Sequence, residues 1–112
     1  MVEQNHEDQL VISEQGIGPG VVVLHISGEL DIATSPQLRK HLVGLLEAPE
    51  LMQIILDLAG LEFVDSTGVS LVVGALKRLR QRGGDMVLRS PQPSVGMLLT
   101  IMGLDRIFTI EP

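Results

Sequence analysis

The sequence predicts an α/β fold, a mixed β-sheet of four to five strands covered by α-helices. Three observations carry this. Two short runs rich in β-branched residues, QLVIS and VVVLHIS, flank a glycine-rich link near the start of the chain. From there strand-like and helix-like segments alternate. The run QIILDLAG at 53–60 is brief and almost continuously apolar, the pattern of a strand covered from more than one side and therefore central. An initial hairpin followed by alternation favours parallel crossovers with helices lying on the sheet.

Taken in order, QLVIS and VVVLHIS read as two strands joined by EQGIGPG as a hairpin loop. In the second strand Val22, Leu24 and Ile26 share one face and Val21, Val23, His25 and Ser27 the other, because side chains alternate; the first face is the better core candidate. GELDIATSPQL leads into a helix with Ser35 as N-cap and Pro36 at the first helical position, where its missing N–H costs nothing. Leu38, Leu42, Leu45 and Leu46 recur at helical spacing, and APE ends the run. After the central strand, Val69, Val72, Val73, Leu76 and Leu79 mark a second helical face. Lys77, Arg78, Arg80 and Arg82 gather near its end, where cations complement the helix dipole, and Gly83 and Gly84 stop it. DMVLRS gives a fourth strand. PQPSVGMLLTIMG gives a third helix, with Ser94 as a candidate cap and Gly103 as its stop. RIFTI is a last short strand or a docked tail.

The 112 residues, 45% hydrophobic and 20% charged, suit one folded domain, 1–112, with residues 1–8 loose. A net charge of -6 and only two aromatic residues, Phe63 and Phe108, supply neither a phosphate-tracking surface nor base-stacking platforms, so nucleic acid is not an expected partner. The acidic start does not resemble a secretory signal, and no segment offers the roughly 18 uninterrupted apolar residues of a spanning helix. The expectation is a cytoplasmic chain without membrane insertion. The absence of cysteine removes disulfides and thiolates, and the histidines at 6, 25 and 41 form no metal-ligand spacing.

The segment FVDSTGVS, residues 63–70, sets a hydroxyl beside a carboxylate where the central strand gives way to a helix. Asp65 or Ser66 can cap that helix. A nucleophilic Ser66 needs a base, yet no G-x-S-x-G elbow is present and every histidine precedes residue 42. Asp57 or Asp65 could be a phosphorylated acid, but no acid pair closes the first strand, and neither Lys40 nor Lys77 follows a late strand. Glu29, Asp31, Asp57 and Asp65 are hard-oxygen candidates for magnesium only if they converge. There is no Walker loop and no G-x-G-x-x-G run. A surface serine remains, whose modification adds roughly -1.5 to -2 charges at a strand-to-helix corner.

GELDIATSPQLR at 28–39, IILDLAGLEFVDSTGVSLVVGALKRLRQRGG at 54–84 and LLTIMGLDRIFTI at 98–110 together resemble the STAS domain, the family named for sulfate transporters and anti-sigma factor antagonists. The resemblance covers about residues 9–110 and implies a STAS-type mixed sheet. Stand-alone bacterial members bind an anti-sigma factor that is itself a serine kinase, and thereby free a sigma factor. The resemblance implies that Ser66, the serine of D-S-x-G, is phosphorylated by that kinase, which switches binding off, and is dephosphorylated by a PP2C-type phosphatase. It further implies that Asp31, Asp65, Thr67, Gly68 and Val69 belong to the kinase-facing surface. The same residues also fit as a turn acid, caps, a loop glycine and a helix core residue. No catalytic residue, cofactor or metal is implied, and the free protein is expected to be a monomer. Thr67 offers a second hydroxyl, and Gly96 and Met97 stand where many members carry charge. The different-class alternative is a non-switching STAS regulatory subunit of a lipid-transport or signalling assembly.

Overall fold

The computed structural model describes residues 10–112; the segment expected to be loose, residues 1–8, lies outside the described residues. Strand β1 (Leu10–Gly18) turns into β2 (Val21–Leu30), which is followed by α1 (Ser35–Leu46), β3 (Gln53–Val64), α2 (Ser66–Gln81), β4 (Asp85–Arg89), α3 (Pro93–Ile101), a 3-10 turn (Leu104–Arg106) and β5 (Thr109–Glu111). The five strands lie in the order β1-β2-β3-β4-β5. β1 is antiparallel to β2, and β2, β3, β4 and β5 pair in parallel. The sheet is therefore mixed and the apolar run at 53–60 lies in its middle strand. RIFTI divides between the 3-10 turn, the buried Phe108 and β5.

Three local details differ from the sequence reading. β1 runs on through Glu14–Gly18, so the hairpin loop shrinks to Pro19 and Gly20. Gly20 has φ +73°, a conformation that residues with a Cβ avoid. The α1 N-cap is Thr34 rather than Ser35, which becomes the first helical residue. Ser94 is likewise inside α3, whose N-cap is Gln92 with Pro93 following. Gly103 does end α3, taking a left-handed conformation of the kind that stops helices.

One apolar cluster holds the three helices to a single face of the sheet. Leu24 and Ile26 of β2, Ile54, Leu56 and Leu58 of β3, and Met86 and Leu88 of β4 meet Leu38 and Leu42 of α1, Leu76 and Leu79 of α2, and Val95 and Leu99 of α3. The face containing Leu24 and Ile26 is the one the alternation favoured. On the opposite face Val23, Ile55 and Val87 form a separate small cluster.

β3 does not keep strict alternation. Its register against β2 shifts between the pairs His25↔Asp57 and Ser27↔Gly60, and again between Gly28↔Leu61 and Glu29↔Phe63. Each shift adds a residue to β3, and such bulges re-aim the side chains that follow. Leu58, Leu61 and Val64 thus all turn toward the helices and are buried, while Phe63 is exposed. Val64 anchors the end of the strand and sets the position of Asp65.

A side chain also ties distant segments together. The Arg82 guanidinium donates to the carbonyls of Leu46 (2.7 Å), Ala48 (2.8 Å) and Leu51 (3.2 Å). It satisfies the Leu46 carbonyl at the end of α1 and ties it to the Ala48 and Leu51 carbonyls in the loop leading to β3.

Candidate functional site at the start of helix α2

Asp65 is the N-cap of α2, in extended backbone, and its Oδ1 accepts from the Gly68 N–H at 3.0 Å. Its Oδ2 accepts from the Ile32 N–H at 3.1 Å. One carboxylate therefore closes the first turn of α2 and clamps the loop between β2 and α1 against it. The cap is thereby assigned to Asp65, and Ser66 does not fill it. Ser66 is the first residue of α2, is exposed, and its hydroxyl makes no hydrogen bond among the described residues. Its Oγ is free to react at a helix start, where unpaired N–H groups and the helix dipole favour negative charge.

Asp31 shapes the facing loop. Its Oδ1 accepts from the N–H groups of Ala33 (2.9 Å) and Thr34 (3.0 Å), while the Thr34 hydroxyl donates to the Glu29 carbonyl at 2.9 Å. The carboxylate fixes a tight turn, a use for which aspartate is well suited, and stays half-buried at the surface. At the tip of this loop Ile32 is 74% exposed. An apolar residue between a strand and a helix, outside both periodicities, was its only sequence signal, and it was missed.

Thr67 is half-buried beside Ser66. Gly68 and Val69, expected among the kinase-facing residues, are buried. A Cβ on Gly68 would lie 2.6 Å from Leu30 Cγ and 3.0 Å from Val64 Cγ2. Only a glycine lets α2 approach β2 and β3 this closely, and Val69 packs into the core just behind it. The surface of the corner thus comprises the exposed Ile32 and Ser66 and the half-buried Asp31, Asp65 and Thr67.

Asp57 and the described histidines are engaged elsewhere. His25 Nδ1 lies 2.9 Å from Asp57 Oδ2 and its Nε2 3.0 Å from Gln15 Oε1, on the sheet face away from the helices. His41 Nδ1 pairs with Glu14 Oε2 at 2.7 Å. Among the described residues no three histidine, aspartate or glutamate side chains cluster where they could hold a metal ion, so Glu29, Asp31, Asp57 and Asp65 do not converge. Nor is any described helix long and apolar enough to cross a membrane.

Comparison with known proteins agrees with this arrangement. A model of the STAS domain family matches residues 15–112. The chain is 35% identical over 91 residues to the anti-sigma F factor antagonist of Paenibacillus polymyxa, covering 81% of this chain and 78% of that one. Its fold is similar to the anti-sigma factor antagonist SpoIIAA in its unphosphorylated form, with a TM-score of 0.79, 27% identity, and coverage of 89% of this chain and 87% of that one. It is also similar to the Bacillus cell fate determinant SpoIIAA in the phosphorylated form, with a TM-score of 0.73, 26% identity, and coverage of 89% and 90%. The five-stranded mixed sheet, the helices on one face, the D-S-T-G corner and a match that spans most of the sequence lead to one conclusion: the chain belongs to the STAS domain family.

Proposed function

We propose that this protein is an anti-sigma factor antagonist whose unmodified form binds an anti-sigma factor serine kinase and frees the sigma factor, and that phosphorylation of Ser66 by that kinase switches binding off. The observation that carries the proposal is the division of labour at the corner: Asp65 caps the helix, leaving the Ser66 hydroxyl exposed and unengaged. The names of relatives supply the class of partner. A phosphorylated SpoIIAA keeps the same fold, which supports a switch that acts at the surface.

The chemistry favours a local electrostatic switch. Phosphoserine at the start of a 16-residue helix is compatible with that helix. It adds roughly -1.5 to -2 charges beside Asp65, however, and a partner packed closely on Ile32 and Ser66 would have to desolvate that charge and meet its bulk. A hundredfold loss of affinity corresponds to about 3 kcal/mol. Asp31, Ile32 and Thr67 complete the contact surface. Gly68 and Val69 act indirectly by seating the helix. The protein itself catalyses nothing in this cycle, and a PP2C-type phosphatase resets it in the cytoplasm.

The test is incubation of the purified chain with an anti-sigma factor serine kinase and ATP. One phosphate is expected, lost in Ser66→Ala and kept in Thr67→Ala, and the phosphorylated chain should release the kinase. A wild-type chain left unmodified by every such kinase of its own cell would overturn the proposal.

A further inference from the structure

Helices α1 and α2 are both crossovers between parallel strands, so they run side by side in the same direction. Between them lies a groove of about 470 Å³ that begins at Thr67, next to the acceptor serine. Its floor is apolar, built from Leu42, Leu71 and Ala75, and an arginine stands toward each end: Arg39 in the first half of α1 and Arg78 in the last turn of α2. From Thr67 to Arg78 the helix rises about 16 Å.

The charges are unusual for this chain. Its net charge is -6, and the arginines elsewhere are mostly engaged: Arg80 with Asp85, Arg89 with Glu111, and Arg82 with the carbonyls at the end of α1. Arg39 and Arg78 have no hydrogen-bond or ion-pair partner among the described residues, although both flank the apolar strip. A complementary ligand presents negative charge at both ends of an apolar stretch. A small anion would meet only one arginine, whereas a segment of two to three helical turns meets both.

We propose that this groove docks an acidic amphipathic segment of the anti-sigma partner, carboxylates facing Arg39 and Arg78 and apolar side chains facing Leu42 and Leu71. The inference rests on the reading of Ser66 above. It adds a second contact region that extends from the acceptor corner and grips the partner by charge and apolar burial.

The experiment measures steady-state phosphorylation by the kinase that modifies the wild-type chain. Arg39→Glu with Arg78→Glu is expected to raise KM for the chain at least tenfold with kcat unchanged, the pattern of lost docking. The same double substitution to lysine should keep most of the wild-type KM. Gly74→Leu is a second blocking variant: Gly74 is exposed and lines the groove, and a Cβ there meets nothing within 4 Å, so the leucine starts from open space and adds bulk to the groove. Arg106→Glu, outside the groove, should leave KM within about twofold. An unchanged KM in the double glutamate and Gly74→Leu variants, with wild type phosphorylated, overturns the groove and leaves Ser66 standing. No phosphorylation of wild type overturns the reading of Ser66 itself. A concentration-dependent dimer of the chain alone, abolished by Gly74→Leu, would assign the groove to a second copy and also overturn the inference.

Discussion

Asp65 and Ile32, 33 positions apart in sequence, are joined by a 3.1 Å hydrogen bond from the Ile32 N–H to Asp65 Oδ2. Because the other carboxylate oxygen caps α2, removing Asp65 releases two N–H groups at once. Asp65→Ala should cost about 1–3 kcal/mol, from a lost cap and a lost loop bond. Ser66→Ala should change stability by less than about 0.5 kcal/mol, since its hydroxyl holds nothing. Urea denaturation of both variants decides the matter; equal losses would return the capping role to Ser66.

Gly68 and Gly44 are both helical glycines with opposite surroundings. A Cβ at position 68 would press on Leu30 at 2.6 Å, whereas one at position 44 meets nothing within 4 Å. Gly68→Ala is therefore expected to destabilise by about 1–3 kcal/mol through overpacking. Gly44→Ala should stabilise by about 0.5–1 kcal/mol through helix propensity. Thermal denaturation should move the two midpoints in opposite directions.

Arg82 reaches three carbonyls with a planar fork that lysine cannot reproduce. Arg82→Lys should cost about 1–3 kcal/mol. It should also speed amide exchange at Ala48 and Leu51, whose N–H groups bond to the carbonyls of Leu45 and Ala48 in the segment that Arg82 braces. A lysine variant with the wild-type urea midpoint would show that the carbonyls need no fork.

Ile32 carries little internal packing, being 74% exposed. Ile32→Ala should leave the urea midpoint unchanged while weakening capture of the proposed anti-sigma kinase partner roughly five- to tenfold, the effect of truncating an apolar interface anchor. Calorimetric titration with the unphosphorylated chain reads this directly, and an unchanged affinity would remove Ile32 from the surface.

Much of the architecture is legible because it is encoded locally. Alternating apolar positions in β2, the leucine stripe of α1 and the near-continuous run of β3 each state their own burial. What is not legible depends on choices between equivalent neighbours or on partners far away. Thr34 and Ser35, or Asp65 and Ser66, are all good capping residues, and which one caps depends on where the preceding strand ends. For β3 that end is set by two register shifts against β2, visible only once the strands pair. At Gln92 a signal was present: Pro93 favours the first helical position, which displaces the cap from Ser94. Arg82 read as one of several cations complementing a helix end; its carbonyl partners lie 31 to 36 positions away.

The succession of strands across the sheet bears on how the chain acquires its shape. Every strand lies next to its neighbour in sequence, so no early segment must wait for a late one to be inserted beside it, and each parallel pair closes only the single crossover between its own two strands. During synthesis the sheet can grow from one edge to the other as chain emerges. The corner around Ser66 needs only β2, the loop after it, the end of β3 and the first turn of α2. It is thus assembled from the older part of the nascent polypeptide, while β4, α3 and β5 are added along the far edge.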